Sequence, residues 1–327
     1  MRSWLTVMLG VALGGFGCAG HTTALHSPSV AAIEGPPVEL SATPFYPQDA
    51  YQCGPAALAT ILTASGVPVT PADLSPEVYL PGRHGSLQLE LLAASRRHGR
   101  LPYEISDGLS GLLAELHSGR PVLVMQNLGW KRWPAWHYAV VVGALDAPDR
   151  FVLRSGPKER LVVPARSFLR NWQGGASWAL VVLRPGEMPA RVERRAYLKA
   201  AAALETAGQP ESARAAYRAA LRQWPGDPVA RLGLGNSAFA LGEWGEAEVT
   251  YRHLLDDDPG HAIARNNLAQ VLAEQGDFSA ALVEIDTALV KGDLTDALRE
   301  ALMETRQEIV ARAARTGSAG ENRAAAP

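Results

Sequence analysis

Residues 45–62 read Phe-Tyr-Pro-Gln-Asp-Ala-Tyr-Gln-Cys-Gly-Pro-Ala-Ala-Leu-Ala-Thr-Ile-Leu, and the chemistry of the chain turns on how this stretch folds. From Pro55 to Ala64 the pattern is helical: Leu58, Ile61 and Leu62 share a face, and alanines fill the rest. Pro55 suits the first turn, where no amide hydrogen is required. A helix over 55–65 therefore starts just after Cys53, or at it, where the helix dipole and unpaired amides stabilise a thiolate. Gly54 removes side-chain bulk beside the sulfur. Gln48 lies five residues upstream, near enough to return an amide donor to the same point. A nucleophile with a nearby donor is the start of an acyl-transfer site; the plainer alternative is a buried structural cysteine.

A cysteine nucleophile needs a base, and residues 44–187 hold four histidines: His84, His98, His117 and His137. His137 stands at the head of Tyr138–Gly143, a β-branched run expected to be a buried strand. His84 and His98 flank an expected helix over Leu87–Arg97 with Ser86 as its cap, and read as surface; His117 ends another helix and reads as solvated. Further strands are expected at Val122–Gln126, pairing beside 138–143, and at Trp178–Leu183. Between the first of these and His137, Trp130, Trp133 and Trp136 surround Lys131 and Arg132. Three indoles beside a base suit the lip of a peptide-binding cleft, and equally a packed loop shielding the core. The histidines lack metal-ligand spacing, Cys53 has no partner thiol, and there is no phosphate-binding glycine loop, so neither metal nor cofactor is expected.

Gln48, then Cys53-Gly54-Pro55, then His137-Tyr138 followed by Val140-Val141-Val142-Gly143, resembles the papain-like cysteine peptidases of the bacteriocin-processing type, which remove double-glycine leader peptides. The resemblance covers residues 44–187 and implies a papain-like α+β fold, with Cys53 as nucleophile, His137 as base, and Gln48 forming the oxyanion hole with the Cys53 amide. The chain departs from the family's pattern in two ways. The glutamine often stands six before the cysteine and here stands five before it; the family's third member is Asp or Asn, whereas the matching strand Phe151-Val-Leu-Arg-Ser-Gly offers Ser155. A serine hydroxyl holds an imidazole tautomer but does not stabilise imidazolium as a carboxylate does. Asp146 and Asn171 are alternatives of poorer spacing. An inactive descendant that only binds peptides stays open beside the enzyme, as does transglutaminase- or amidase-like chemistry on the same residues.

From about residue 191 the chain turns alanine-rich and periodic. Ala213, Ala247 and Ala281 stand 34 apart, as do Gly208, Gly242 and Gly276, and Tyr217, Tyr251 and Ile285. Those are tetratricopeptide-repeat positions. Three repeats are expected over 194–227, 228–261 and 262–295, with a capping helix at 296–314, a domain spanning 191–315, and a disordered tail over 316–327. The whole is thus expected as an α+β papain-like cysteine peptidase domain followed by an all-α tetratricopeptide-repeat solenoid. A protein partner is expected in the repeat groove, with Arg231, Asn236, Arg265, Asn266 and Asn267 as candidate contacts.

The N-terminal 18 residues carry Arg2, then an apolar run to Gly17, and end at Cys18. That run is short for a bilayer span, which needs roughly 20 residues, and suits an export signal. It resembles a bacterial lipoprotein signal, although the place three before the cysteine is Gly15 rather than an aliphatic residue. The resemblance implies lipidation at Cys18, a membrane attachment through that lipid, and an outer-membrane position facing the periplasm. Residues 19–43, rich in Pro, Ser, Thr and Ala, read as a flexible tether. The whole chain then resembles a stand-alone bacterial subgroup of the family that joins a lipoprotein signal, a peptidase domain and such repeats. In composition, 31 basic residues against 33 acidic ones leave no cationic surplus for coating nucleic acid.

Overall fold

The computed structural model describes residues 36–48, 52–146, 149–290 and 294–324. The export signal, Cys18 and most of the expected tether lie outside the described residues. The chain divides into two compact units, one reaching Leu254 and the other beginning at Leu255.

The first unit opens with β1 (Val38–Glu39), α1 (Cys53–Ala64), α2 (Pro71–Val78), α3 (Gln88–Arg97), β2 (Leu101–Glu104) and α4 (Leu109–His117). It continues through β3 (Val122–Asn127), β4 (Trp136–Leu145), β5 (Arg150–Ser155), β6 (Lys158–Pro164), α5 (Ala165–Gly174) and β7 (Ala179–Leu183). The strands form one antiparallel sheet in the order β2-β7-β3-β4-β5-β6, with β1 on the C-terminal half of β4.

The apolar run of β4 is continuous because both of its faces are covered. Alternate residues split between two cores. Tyr138, Val140 and Val142 pack with Leu58, Ile61 and Leu62 of α1 and Leu91 of α3. Ala139, Val141 and Ala144 pack with Leu112 and Leu116 of α4 and Phe168 and Trp172 of α5. Each buried Val or Leu here contributes about 1.5–3 kcal/mol. The strand is longer than expected at both ends, because Trp136 and His137 still pair with Asn127 and Gln126 of β3; His137 is thus its second residue, not its first.

The helix at Cys53 begins on that residue itself, one of the two starts expected. Two other expectations change. Ser86 does not cap α3: Leu87 holds that position without a side-chain bond, and the Ser86 hydroxyl is instead buried with no partner among the described residues. The last part of the expected tether is built into the fold. Val38 and Glu39 pair with Ala144 and Gly143, Leu40 N donates to Val142 O (2.7 Å), and Arg154 donates to the carbonyls of Ser41 (3.0 Å) and Thr43 (3.1 Å).

Within the same unit follow α6 (Arg194–Thr206), α7 (Pro210–Gln223), α8 (Pro228–Ala240) and most of α9 (Trp244–Asp257). The expected break at 187–191 is crossed by a shared core: Leu101, Tyr103, Val181 and Leu183 of the sheet pack with Tyr197, Leu198, Leu204 and Tyr217 of α6 and α7. The second unit contains α10 (Ala262–Glu274), α11 (Phe278–Val290) and α12 (Asp296–Ala324), with Leu268, Ile285, Leu302 and Ile309 buried. Arg312 ties α12 to Glu274 of α10 (2.7 Å). α12 continues to Ala324, past residue 316, where a disordered tail was expected. The helix boundaries at 194, 228, 262 and 296 follow the 34-residue period.

Candidate active site

Cys53 is the first residue of α1, half-buried against the core that holds Tyr138. The first amides of a helix have no intrahelical partner, so the Cys53 and Gly54 N–H groups lie beside the sulfur as donors. Gly54 earns its place by close approach: a Cβ there would stand 2.2 Å from Ser86 Oγ. The glycine therefore lets the loop before α3 close onto the start of α1. The Tyr138 hydroxyl donates to Ser86 O (3.3 Å) and fixes that loop from the sheet side. Burial raises the Tyr138 phenol above its ordinary range, and Cys53 packs against the same apolar cluster.

His137 is half-buried, and its Nε2 lies 2.8 Å from Ser155 Oγ. Ser155, the last residue of β5, is buried. Of the three candidates for the orienting role, it is the one bonded to His137. Of the alternatives, Asp146 is bonded to Arg150 at the turn after β4, and Asn171 lies within α5. Burial lowers the His137 pKa, so the ring is neutral at neutral pH. Among the described residues no hydrogen bond joins Cys53 Sγ to His137; Cys53 packs against the cluster that holds Tyr138, the neighbour of the histidine in sequence.

Gln48 meets the residue after Ser155. Its backbone N donates to Gly156 O (3.2 Å), and Gly156 N donates to Gln48 Oε1 (3.2 Å). Gly156 has φ +58°, a left-handed conformation that glycine adopts freely. Because the side-chain oxygen is used as acceptor, the amide nitrogen of Gln48 keeps its hydrogens as donors, without a partner among the described residues. Two of the expected site residues therefore converge on consecutive residues of one turn, His137 on Ser155 and Gln48 on Gly156.

The three indoles stand on a tight hairpin between β3 and β4. Trp130 and Trp133 exchange both backbone bonds (3.1 and 3.0 Å) across Lys131 and Arg132, and Asn127 Oδ1 accepts from Gly129 and Ala135 (3.0 Å each). Trp130, Trp133 and Trp136 are 77%, 69% and 56% exposed, so the hairpin does not shield the core. The other histidines are elsewhere. His98 bonds Glu77 (3.0 Å), and His117, exposed but bonded, meets the carbonyls of Leu113 and Pro36 (2.9 Å each). Sequence reasoning missed Tyr138 and Ser86 as neighbours of the nucleophile; the glycine beside the cysteine was their only signal.

The candidate repeat-groove residues turn inward. Arg231 donates to Pro225 O (3.0 Å) and Arg265 to Pro259 O (3.1 Å). Asn236 accepts from Tyr251 (2.8 Å) and donates to Glu205, which also accepts from Tyr217. Asn266 donates to Asn267 (3.2 Å). Of these groups, Asn236 links neighbouring helices, and the two arginines tie α8 and α10 to the turns that precede them.

The fold is an α+β domain followed by helical repeats, with a cysteine at the start of its core helix and a histidine and a glutamine bonded to consecutive residues after β5. The tetratricopeptide-repeat family matches residues 194–237 and 232–297. Among solved structures, a putative C39-like peptidase from Bacillus anthracis is similar at 18% identity and a TM-score of 0.38, covering 46% of this chain and 98% of that one. The peptidase domain of Streptococcus ComA, a bifunctional ABC transporter involved in quorum sensing, is similar at 22% identity and a TM-score of 0.35, covering 43% and 98%. The Yersinia enterocolitica type III secretion translocator chaperone SycD is similar at 17% identity and a TM-score of 0.36, covering 40% and 92%. No curated protein sequence matches the chain.

Proposed function

We propose that residues 44–187 form a cysteine peptidase. The observation that carries this reading is the joint anchoring of His137 by Ser155 (2.8 Å) and of Gln48 by Gly156 (3.2 Å), beside a cysteine that opens a helix. With Nε2–H donating to Ser155, His137 keeps its lone pair on Nδ1. That nitrogen takes the Cys53 proton as sulfur bonds to the peptide carbonyl carbon. The resulting oxyanion is met by the Gln48 amide and the Cys53 backbone N–H. The C–N bond then breaks, and the amine leaves with the proton from His137. Water, deprotonated by His137, attacks the thioester and releases the acid, and the thiol is restored. By strand parity His137 shares the face of Ala139, opposite the one that carries α1, so this mechanism requires the ring and the thiol to meet beyond the end of β4 in the substrate complex.

The exposed indoles of Trp130, Trp133 and Trp136 supply apolar contacts for a peptide beside this centre. The repeats dock a protein substrate or partner. The sequence around Cys18 supports export and lipid anchoring at the cell envelope, and acyl labelling lost in Cys18→Ser tests it. Profiling a peptide library against the full chain and Cys53→Ala tests the peptidase. Cleavage by the first and none by the second is expected; cleavage by neither contradicts it. A second reading, a peptide-binding scaffold without catalysis, is favoured by the serine at the orienting position. It predicts peptide binding by the native chain with no turnover.

A further inference from the structure

We infer that Arg154 is a positioning residue that holds Gln48, and the approach to Cys53, in register for acylation; the inference rests on the peptidase reading above. Arg154 is only 5% exposed although it carries a permanent charge. Among the described residues no carboxylate bonds it. Its guanidinium donates instead to three main-chain carbonyls, those of Ser41 (3.0 Å), Thr43 (3.1 Å) and Glu159. Glu39 feels its charge but is bonded to Arg160 (2.7 and 2.9 Å). A buried charge without a countercharge is costly, and an apolar residue of similar size would fill a strand facing α1 at less expense. What a guanidinium adds is a rigid fork of donors able to fix several carbonyls at once.

Two of the three carbonyls, those of Ser41 and Thr43, belong to the segment that leads to Gln48 and Cys53; the third, of Glu159, lies on β6. That segment leaves β1, turns at Leu40–Thr43 (Thr43 N to Leu40 O, 3.0 Å), and is tied by Tyr46 to Thr63 of α1 (3.1 Å). It then reaches Gln48, and Cys53 follows five residues on. Three consecutive residues thus each hold one part of the site: Arg154 the incoming segment, Ser155 the imidazole, and Gly156 the glutamine. Without Arg154 the segment is left with the ties of Tyr46 to Thr63 and of Gln48 to Gly156, and the Gln48 amide donor is held less firmly.

The test uses the full chain and its variants Arg154→Met, Gln48→Ala and the double variant, assayed on a peptide the native chain cleaves, with hydrogen exchange of the backbone alongside. Arg154→Met is expected to lower kcat by about tenfold to hundredfold with KM little changed. The acid limb of the pH profile stays in place, because His137 and Ser155 are untouched. The double variant is no slower than Gln48→Ala, and amides of residues 40–48 exchange faster while those of β4 do not. Multiplied losses in the double variant, a moved acid limb, or unchanged exchange in 40–48 would overturn the assignment. Should Arg154→Met not fold, Arg154→Lys, which keeps the charge but replaces the fork by one ammonium, is expected to show the same non-additivity. A native chain that neither cleaves nor forms an acyl-enzyme overturns the peptidase reading, and exchange over 40–48 alone then decides whether Arg154 holds the segment.

Discussion

Arginine bound to main-chain carbonyl is used in both halves of this molecule, with opposite meaning. In the repeats, Arg231 and Arg265 stand 34 residues apart and bond Pro225 O and Pro259 O, the same point of successive repeats. The bond recurs because the helix pair recurs, and each instance closes one repeat. In the sheet domain Arg100 and Arg184 share the carbonyl of Ser65, while Arg154 lies deeper, next to the residue that holds His137. A polar group that returns with the period belongs to the architecture. A buried one that breaks an apolar strand and, among the described residues, is bonded by no carboxylate points to a local task.

That contrast is breakable by substitution. The largest effect is expected of Cys53→Ala, which should abolish peptide cleavage, by on the order of 10³-fold or more, while the melting temperature stays put. Next, Gln48→Ala should lower kcat by about 10²–10³, the usual loss of one oxyanion donor. Surviving full activity would remove the glutamine from the mechanism.

Ser155 gives a finer test through pH. Burial lowers the His137 pKa, and the working form is the neutral base. Activity should therefore persist as pH falls past about 6.5, the ordinary histidine value, and drop only lower. Ser155→Asp places a carboxylate against the imidazole and favours imidazolium. The acid limb should then move to higher pH in the kcat/KM profile, and Ser155→Ala should slow turnover about tenfold without moving it upward. An unmoved limb in Ser155→Asp would deny that Ser155 faces the working ring. The smallest effect is expected in the repeats: Arg231→Met and Arg265→Met should each cost about 1–2 kcal/mol in denaturant unfolding and leave the alkylation rate of Cys53 unchanged.

The same contrast sets what the sequence disclosed. The 34-residue period placed six repeat helices and the start of α12 because each repeat solves the same packing problem. The buried strands β3, β4 and β7 were legible as β-branched runs. Thr70 with Asp73, a reciprocal capping pair at the start of α2, was a readable signal that went unread. β1 was not legible, since two residues in a proline-rich stretch become a strand only by pairing with Ala144 and Gly143. The nucleophile, base and donor were visible as residue types at suggestive spacing. The turn that holds His137 and Gln48 was not: Arg154 reads as a stray charge in an apolar strand until the carbonyls of Ser41 and Thr43, more than a hundred residues earlier, come to meet it.

The account turns on Cys53 and His137 acting as one pair, and iodoacetamide alkylation of Cys53 across pH, in the full chain and in His137→Ala, measures that directly. The predicted result is a rate whose acid limb follows the lowered titration of His137, below about 6.5, and which falls at least tenfold near neutral pH in His137→Ala. Identical rate–pH curves for the two proteins would show that the thiol ignores the imidazole and would contradict the catalytic reading.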